Sequence, residues 1–222
     1  EAEQQLLDAL KLRDDYVEAR NNLALVYFDQ ERYEEAEAEI TRAYVLAPDA
    51  ARVVNNMGLV QQYTNRMEEA AESFRRALEL DPSYLEAKTN LATVYNGTGR
   101  LDEAIELFDF VLARNPASLT ARWNRCNALL LKGEYGRCWD DYELRWEIDD
   151  EIPRTFAQPH WGDEDLSGRS VMVYGEQGPG DVVMFAQCLG DLIRQAASVS
   201  IQVDDRLVAL MRRSFEACVV DG

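Results

Sequence analysis

The sequence predicts a mainly α-helical chain, in which an α-solenoid of helical hairpins is followed by an incomplete α/β unit. Two observations support this fold class. One pattern recurs at a constant interval through the N-terminal part of the chain, and its apolar residues recur every three or four positions, as on one face of an α-helix. After residue 169 the pattern changes to short β-branched runs that alternate with helical stretches.

Three complete repeats occupy residues 17–118. Small residues in both helices allow the paired helices to approach closely, and a proline ends the second helix because it cannot donate the next backbone hydrogen bond. The corresponding positions are Leu23, Met57 and Leu91; Ala24, Gly58 and Ala92; Ala36, Ala70 and Ala104; Ile40, Phe74 and Phe108; Pro48, Pro82 and Pro116. This pattern resembles the tetratricopeptide repeat, and the resemblance implies a helical array that binds proteins.

Two partial units flank these repeats. Residues 1–16 predict the second helix of a truncated repeat, and residues 119–150 predict a degenerate helix pair that lacks the closing proline. In the degenerate pair, Arg125 replaces an apolar residue, while Cys126 and Cys138 take the two small-residue positions. These cysteines are interpreted as packing residues, with a functional thiol pair as the alternative.

One polar position recurs in all four units, and a solenoid would stack it along the concave surface that the first helices form. The residues are Asn22, Asn56, Asn90 and Asn124. A carboxamide both donates and accepts, so it can pair with any peptide backbone. We therefore predict that these residues bind an extended peptide or protein partner, similar to the asparagine ladder of O-linked N-acetylglucosamine transferase. The alternative is that they bond only within the stack.

A clamp for a C-terminal carboxylate is a further possibility for the concave surface. Such a clamp needs clustered Lys and Arg side chains on the inner helices. The candidate cations are scattered, so the sequence favours backbone recognition over this subtype. They are Arg20, Lys88, Arg122 and Arg125.

The C-terminal part begins with an irregular connector, residues 151–169, that is rich in Pro and Gly. Strands are predicted at 170–174, 198–203 and 217–220, with helices at 181–197 and 205–215 between them. This order predicts a parallel, right-handed, Rossmann-like sheet over residues 170–222. Three strands do not complete a doubly wound domain, so we expect either a fragment or a half-domain that packs on the helices.

A motif of glycines and acids, EQGPGD, follows the first predicted strand. The residues that carry a family resemblance are five from this motif and Phe185 from the predicted helix that follows. The five are Glu176, Gln177, Gly178, Gly180 and Asp181. The segment is similar to a bacterial family that joins tetratricopeptide repeats to a GT-B glycosyltransferase domain, akin to the heptosyltransferases. The resemblance implies inverting, metal-independent sugar transfer from a nucleotide-sugar donor by the full-length protein. The nucleotide-sugar site of that family lies mainly in a second half-domain, so we expect this chain alone to hold no cofactor and to be inactive.

The loop Gly175–Asp181 leaves two interpretations open. Its glycines have the spacing GxxGxG, so it is not a GxGxxG dinucleotide fingerprint. In one interpretation Asp181 is a general base, Glu176 supports it, and Gly178 and Gly180 form an acceptor loop. In the other, Asp181 only caps the helix and the glycines adopt left-handed turn angles. A non-catalytic scaffold is the third hypothesis for the whole protein.

Composition narrows the classes of partner. The formal net charge of −18 disfavours nucleic acid and anionic membranes. No apolar run approaches the ~20 residues that span a bilayer. The four cysteines form no CxxC pair and the chain has one His, so we expect no metal site and reduced thiols in a cytoplasmic protein. The sequence does not specify the oligomeric state.

Overall fold

The structure is a computed structural model that describes residues 2–144, 156–162, 164–175 and 178–222. Its contacts divide the chain into two compact units, residues 1–153 and 154–222, and each unit is described by itself. Within these described ranges, no helix is both long enough and apolar enough to cross a membrane.

The first unit is a helical array in which every helix packs against the next one along the chain. Helix α1 precedes three helical hairpins, α2–α3, α4–α5 and α6–α7, and α8 begins a fourth. The helices are α1 (Ala2–Leu12), α2 (Val17–Asp29), α3 (Tyr33–Leu46), α4 (Ala51–Tyr63), α5 (Met67–Leu80), α6 (Leu85–Gly97), α7 (Leu101–Leu112) and α8 (Leu119–Lys132).

The turn inside each hairpin has the same left-handed backbone conformation. The corresponding residue of each unit adopts it, with φ of 59° at Glu31, 62° at Asn65, 80° at Gly99 and 83° at Gly133. The next amide then bonds to a carbonyl of the preceding helix, as in Arg32 N to Tyr27 O at 2.9 Å. Glycine adopts this conformation freely, whereas a Glu side chain clashes with its own backbone there. The repeat therefore imposes the turn even where the residue disfavours it.

Small residues bring the paired helices together, as the repeat pattern predicts. Ala36, Ala70 and Ala104 are completely buried. A Cβ atom at Gly58 would lie 2.7 Å from Cε1 of Phe74, whose ring is also completely buried. Helix α4 therefore approaches α5 more closely than a side chain at Gly58 would allow.

The fourth unit keeps its first helix but departs from the repeat in its second. After α8 come a 3₁₀ turn at Tyr135–Arg137 and a single helical turn, α9 (Trp139–Tyr142), close to residue 144, where the first described range ends. Cys126 and Cys138 are both buried and pack together with Leu129. Burial, and then the neighbouring Cys138, raises the pKa of the Cys126 thiol to about 12, which favours packing over thiol chemistry.

The second unit is a three-stranded parallel sheet in the order β1-β2-β3. This confirms the predicted α/β unit. The predicted long helix after β1 is two helices joined by a 3₁₀ turn at Ala186–Cys188. The elements are β1 (Ser170–Tyr174), α10 (Pro179–Phe185), α11 (Leu189–Gln195), β2 (Ser198–Gln202), α12 (Asp205–Ser214) and β3 (Val219–Asp221).

The core of this unit lies on one face of the sheet. Val199, Ile201 and Val220 point to that face and pack with Leu189 of α11 and Met211 of α12. On the opposite face, where side chains alternate along each strand, Met172 is 41% exposed and Val219 is 61% exposed.

Candidate functional site

The first helices of the successive hairpins form one continuous surface. Helix α2 contacts α4, α4 contacts α6, and α6 contacts α8. In a helical solenoid, the surface lined by such a row of helices is the extended concave one. We call the surface of α2, α4, α6 and α8 the inner face.

Five carboxamides of the inner face form a continuous hydrogen-bonded chain, which we call the carboxamide chain. Asn90 Nδ2 donates to Asn55 Oδ1 at 3.0 Å, and Asn55 Nδ2 donates to Asn56 Oδ1 at 3.2 Å. Asn56 Nδ2 donates to Asn21 Oδ1 at 2.8 Å, and Asn21 Nδ2 donates to Asn22 Oδ1 at 3.4 Å. The chain thus links three successive hairpins through neutral polar groups.

The recurring asparagines differ in exposure. Asn56 is 3% exposed, Asn22 is exposed, and Asn90 and Asn124 are half-buried. Asn56 is engaged on both sides, whereas Asn22 Nδ2, Asn90 Oδ1 and Asn124 Oδ1 have no hydrogen-bond partner among the residues that the structure describes. The stacking role is therefore visible in the structure, and binding of a partner by these four residues stays a prediction.

The carboxamide chain stops before the fourth unit. Asn124 Nδ2 donates to Thr93 Oγ1 at 3.2 Å, because Thr89 stands where the earlier hairpins have Asn21 and Asn55. The Thr89 hydroxyl bonds within its own helix, to Leu85 O at 3.0 Å. A threonine therefore interrupts the relay between α6 and α8.

Sequence reasoning missed Asn21 and Asn55, which complete the carboxamide chain. Both are buried, with exposures of 1% and 0%. They occupy the same position of two successive repeats, directly before Asn22 and Asn56, so the repeat contained a signal for them. The third repeat has Thr89 at this position, so the asparagine is not shared by all units and does not stand out as a recurring residue.

Sequence reasoning also missed an aromatic cluster of the array, which we call the aromatic site. The ring of Phe28 meets Tyr63 edge-on at 4.6 Å and Tyr33 edge-on at 5.7 Å, measured between centroids. Tyr33 and Tyr63 stack at 6.0 Å. Tyr63 closes α4 and is 59% exposed, so this site presents an aromatic surface at one end of the inner helices.

The four candidate cations for a carboxylate clamp are engaged with groups of the chain itself. Arg20 is 5% exposed and its Nη1 lies 2.6 Å from Glu39 Oε2, while Lys88 Nζ donates to Pro82 O at 2.7 Å. Arg122 and Arg125 both pair with the buried carboxylate of Asp141, at 2.6 and 2.7 Å. Because all four cations are engaged in this way, the structure does not favour a carboxylate clamp on the inner face.

Arg125 is held as a cation by two carboxylates. Besides Asp141, its Nη1 lies 2.8 Å from Asp109 Oδ1. Burial of the guanidinium lowers the pKa of Arg125, but hydrogen bonds to Asp109 and Asp141 outweigh burial and raise it overall. These ion pairs explain how a charged residue occupies a position that is apolar in the other units.

The loop before α10 differs from the interpretation in which Asp181 caps the helix. The N-cap of α10 is Gly178, with φ of −62° and no side-chain cap hydrogen bond, and Pro179 begins the helix. Gly180 and Asp181 lie in the first turn, so the expectations that Asp181 is the N-cap and that these two glycines adopt left-handed angles are wrong. Glu176, the expected support for Asp181, lies outside the described residues.

Gly175 has a different role from the one expected. A Cβ atom there would lie 2.9 Å from Cγ2 of Val182, so the absence of a side chain lets α10 pack against the end of β1. Asp181 is half-buried in the first turn of α10, beyond the carboxyl end of β1. In parallel α/β folds ligands bind at this edge of the sheet. A catalytic role of Asp181 stays a prediction.

Two models of the tetratricopeptide repeat family match the chain, at residues 15–83 and 64–117. The protein FlbA of Caulobacter vibrioides is 35% identical over 96 residues, which are 41% of this chain and only 16% of FlbA. Neither family model extends into the α/β unit.

Three crystal structures show the same fold at low identity. MamA has a TM-score of 0.55 at 22% identity, over 65% of this chain and 79% of MamA. YrrB, described as a tetratricopeptide repeat protein with an unusual peptide-binding site, has a TM-score of 0.53 at 22% identity, over 66% of this chain and 76% of YrrB. PilW, a type IV pilus biogenesis factor, has a TM-score of 0.59 at 24% identity, over 64% of this chain and 66% of PilW. With the turns, the packing and the two family matches described above, the helical array of this chain is identified as an array of tetratricopeptide repeats.

Proposed function

We propose that this chain is a protein-binding module whose inner face holds an extended segment of a partner. The observation that carries the proposal is the unused bonding capacity of Asn22, Asn90 and Asn124, which are at least partly exposed along one row of helices. Free amide N–H and C=O groups match the alternating donors and acceptors of a peptide backbone. The peptide-binding site in the printed description of YrrB supports the same use of the fold.

Asn56 has a different part in this proposal. Because it is buried and bonded to Asn21 and Asn55 on either side, it fixes the orientation of its neighbours rather than contacting the partner. Preorganised donors and acceptors lose less conformational entropy when a ligand binds. The inner face thus combines a rigid buried link with outward-facing amides.

The experiment uses a library of random dodecapeptides selected against the whole chain, followed by affinity measurement with the strongest binder. Replacing Asn22, Asn90 and Asn124 by Ala, singly, should weaken binding about three- to tenfold each, as expected for one lost hydrogen bond. Asn115→Ala, at an exposed asparagine between α7 and α8, is the matched control and should leave affinity unchanged. The proposal would be contradicted if the three inner-face variants bound the peptide as tightly as the Asn115→Ala control, or if the selection yielded no binding peptide.

For the full-length protein we propose a second function, inverting sugar transfer from a nucleotide-sugar donor to an acceptor recruited by the repeats. Its support is the resemblance of residues 176–185 to the glycosyltransferase family and the location of Asp181 beyond the carboxyl end of β1. A carboxylate at this edge can act as the general base that takes a proton from an acceptor hydroxyl. No donor-binding residue is assigned to this chain.

Transfer assays with a panel of nucleotide-sugars test this second function in the full-length protein. Asp181→Asn should abolish transfer and leave the unfolding temperature within about 2 °C of wild type, since Asp181 makes no side-chain cap. Asp191→Asn, at an exposed carboxylate of α11, serves as the control and should retain transfer. Full transfer by Asp181→Asn would exclude the general base, and no transfer by wild type would exclude the function.

A further inference from the structure

In the first and third repeats, an arginine covers one tyrosine ring of the first helix. The guanidinium of Arg32 lies 4.2 Å from the ring centroid of Tyr27, and that of Arg100 lies 3.7 Å from the ring centroid of Tyr95. These pairs occupy corresponding positions of the first and third repeats. Each ring is thus covered by a cation from the same hairpin, an arrangement that the negative face of the ring favours.

The second repeat breaks this arrangement. Gln61 takes the place of the tyrosine, and the equivalent cation, Arg66, bonds to Thr64 Oγ1 at 3.0 Å and to Glu37 at 2.8 Å. The aromatic ring of α4 is Tyr63 instead, two positions further along the helix. Tyr63 is 59% exposed, and no cation within the described part of the chain covers it.

The surroundings of Tyr63 suit a cation. Phe28, whose ring touches Tyr63, is followed directly by Asp29, an exposed carboxylate without an ion-pair partner in the described chain. On the next inner helix, Gly97 occupies the position that corresponds to Tyr63, and its missing side chain leaves open space there. The adjacent Asn96 has a buried Oδ1 without a hydrogen-bond partner, so an acceptor is available for a donor.

We propose that the aromatic site is the subsite for a cationic side chain, Arg or Lys, of the segment bound on the inner face. The guanidinium or ammonium lies over the Tyr63 ring, is paired by Asp29, and enters the space beside Gly97. The formal charge of −18 favours such a partner over an acidic one. This inference rests on the proposed protein-binding function and specifies the chemistry of its partner.

Two features of the peptide selection test the proposal. Peptides selected against the whole chain should be enriched in Arg or Lys at one position relative to the starting library. In the strongest binder, replacing that residue by citrulline, which keeps the shape of Arg without its charge, should lower affinity about fivefold. Tyr63→Ala and Gly97→Leu should each lower the affinity of the cationic peptide by a similar factor.

A double-mutant cycle separates a direct contact from a change in fold. In Tyr63→Ala the replacement by citrulline should have little further effect, whereas Tyr63→Phe, which keeps the ring, should behave like wild type. Val45→Ala, at a 74% exposed apolar residue of α3, is the control and should bind normally. Additive losses, or selected peptides without basic enrichment, would overturn this inference and leave the proposed function standing. A selection that yields no binding peptide would overturn both.

Discussion

In the three complete repeats, one apolar position of the first helix holds Leu23, Met57 or Leu91, whereas the fourth unit holds Arg125 there. The complete repeats pack apolar side chains at this position and place neutral carboxamides beside them. The fourth unit instead builds a network of charges in which Asp141, 6% exposed, accepts from Arg122 and Arg125. Neighbouring units of one array thus fill the same repeat position in two ways, with an apolar side chain or with an ion-paired arginine.

The difference teaches how each region depends on its partners. A buried neutral amide that loses a partner leaves one unsatisfied group, at a cost of about 1–3 kcal/mol. A buried charge that loses its partner costs more, about 3–5 kcal/mol, because water no longer solvates it. The fourth unit should therefore be more sensitive to single substitutions than the regular repeats.

The largest effect is expected for Asp141→Ala, which leaves the guanidinium groups of Arg122 and Arg125 without their shared carboxylate. We expect a loss of about 3 kcal/mol of unfolding free energy, measured by urea denaturation. Hydrogen exchange should show the loss first in α8. Asp109→Ala removes a carboxylate that is 43% exposed and should cost less than about 1 kcal/mol. Equal costs for the two variants would remove the contrast between the two regions.

The next effect concerns the carboxamide chain of the regular repeats. Asn56→Ala should lower the unfolding free energy by about 2 kcal/mol, since it leaves Asn21 Oδ1 and Asn55 Nδ2 buried without partners. Asn22→Ala, at the exposed end of the same chain, should change stability by less than about 0.5 kcal/mol. Thermal and urea unfolding of both variants measure the difference, and an Asn56→Ala variant as stable as Asn22→Ala would show that the chain has no structural role.

Two glycines of the inner helices should respond in opposite directions to Ala. Gly58→Ala pushes a methyl group against Phe74 and should cost about 1–3 kcal/mol. Gly97→Ala meets open space and should stabilise the array by about 0.5 kcal/mol, because Ala loses less entropy in a helix. Urea denaturation of the two variants checks this, and destabilisation by Gly97→Ala would mean that the space beside it is closed.

A smaller effect than that of Gly58→Ala is expected at the hairpin turns. Glu31→Gly should stabilise the array by up to about 1 kcal/mol, because glycine removes the steric cost of a positive φ. Asn65→Gly should gain less, since asparagine tolerates the left-handed region better than glutamate. Differential scanning calorimetry should therefore rank Glu31→Gly above Asn65→Gly, and the reverse order would argue that the Glu31 turn is not strained.

Much of the fold was predictable because the same pattern of apolar, small and proline residues recurs in each complete repeat. Ala36, Ala70 and Ala104 marked the buried contacts, and Ser170–Tyr174 marked the first strand with the bounds that the structure has. The fourth unit was harder to predict, because Arg125 fits the array through ion pairs with Asp109 of α7 and Asp141 of α9. Ion pairs between helices leave no local sequence pattern.

The candidate site was predictable in part. The recurring asparagines were visible through their constant spacing, but their different exposure depends on how α2, α4, α6 and α8 stack. The aromatic site joins Phe28 and Tyr63 from different repeats, and no periodicity relates them. Helix α10 begins at Pro179, so Gly178 is its N-cap. The acidic residue Asp181 had instead suggested that the helix begins later in the sequence.

The sequence by itself determined the repeat pattern of the array, the proline that follows each second helix of the complete repeats and the parallel order of the three strands, because periodicity, proline and β-branched runs act locally on the backbone. Only the tertiary structure decided which asparagine became a buried link and which kept a free amide, and which ring received a cation. These outcomes depend on neighbours from other hairpins, since burial and hydrogen-bond partners arise only when the helices pack.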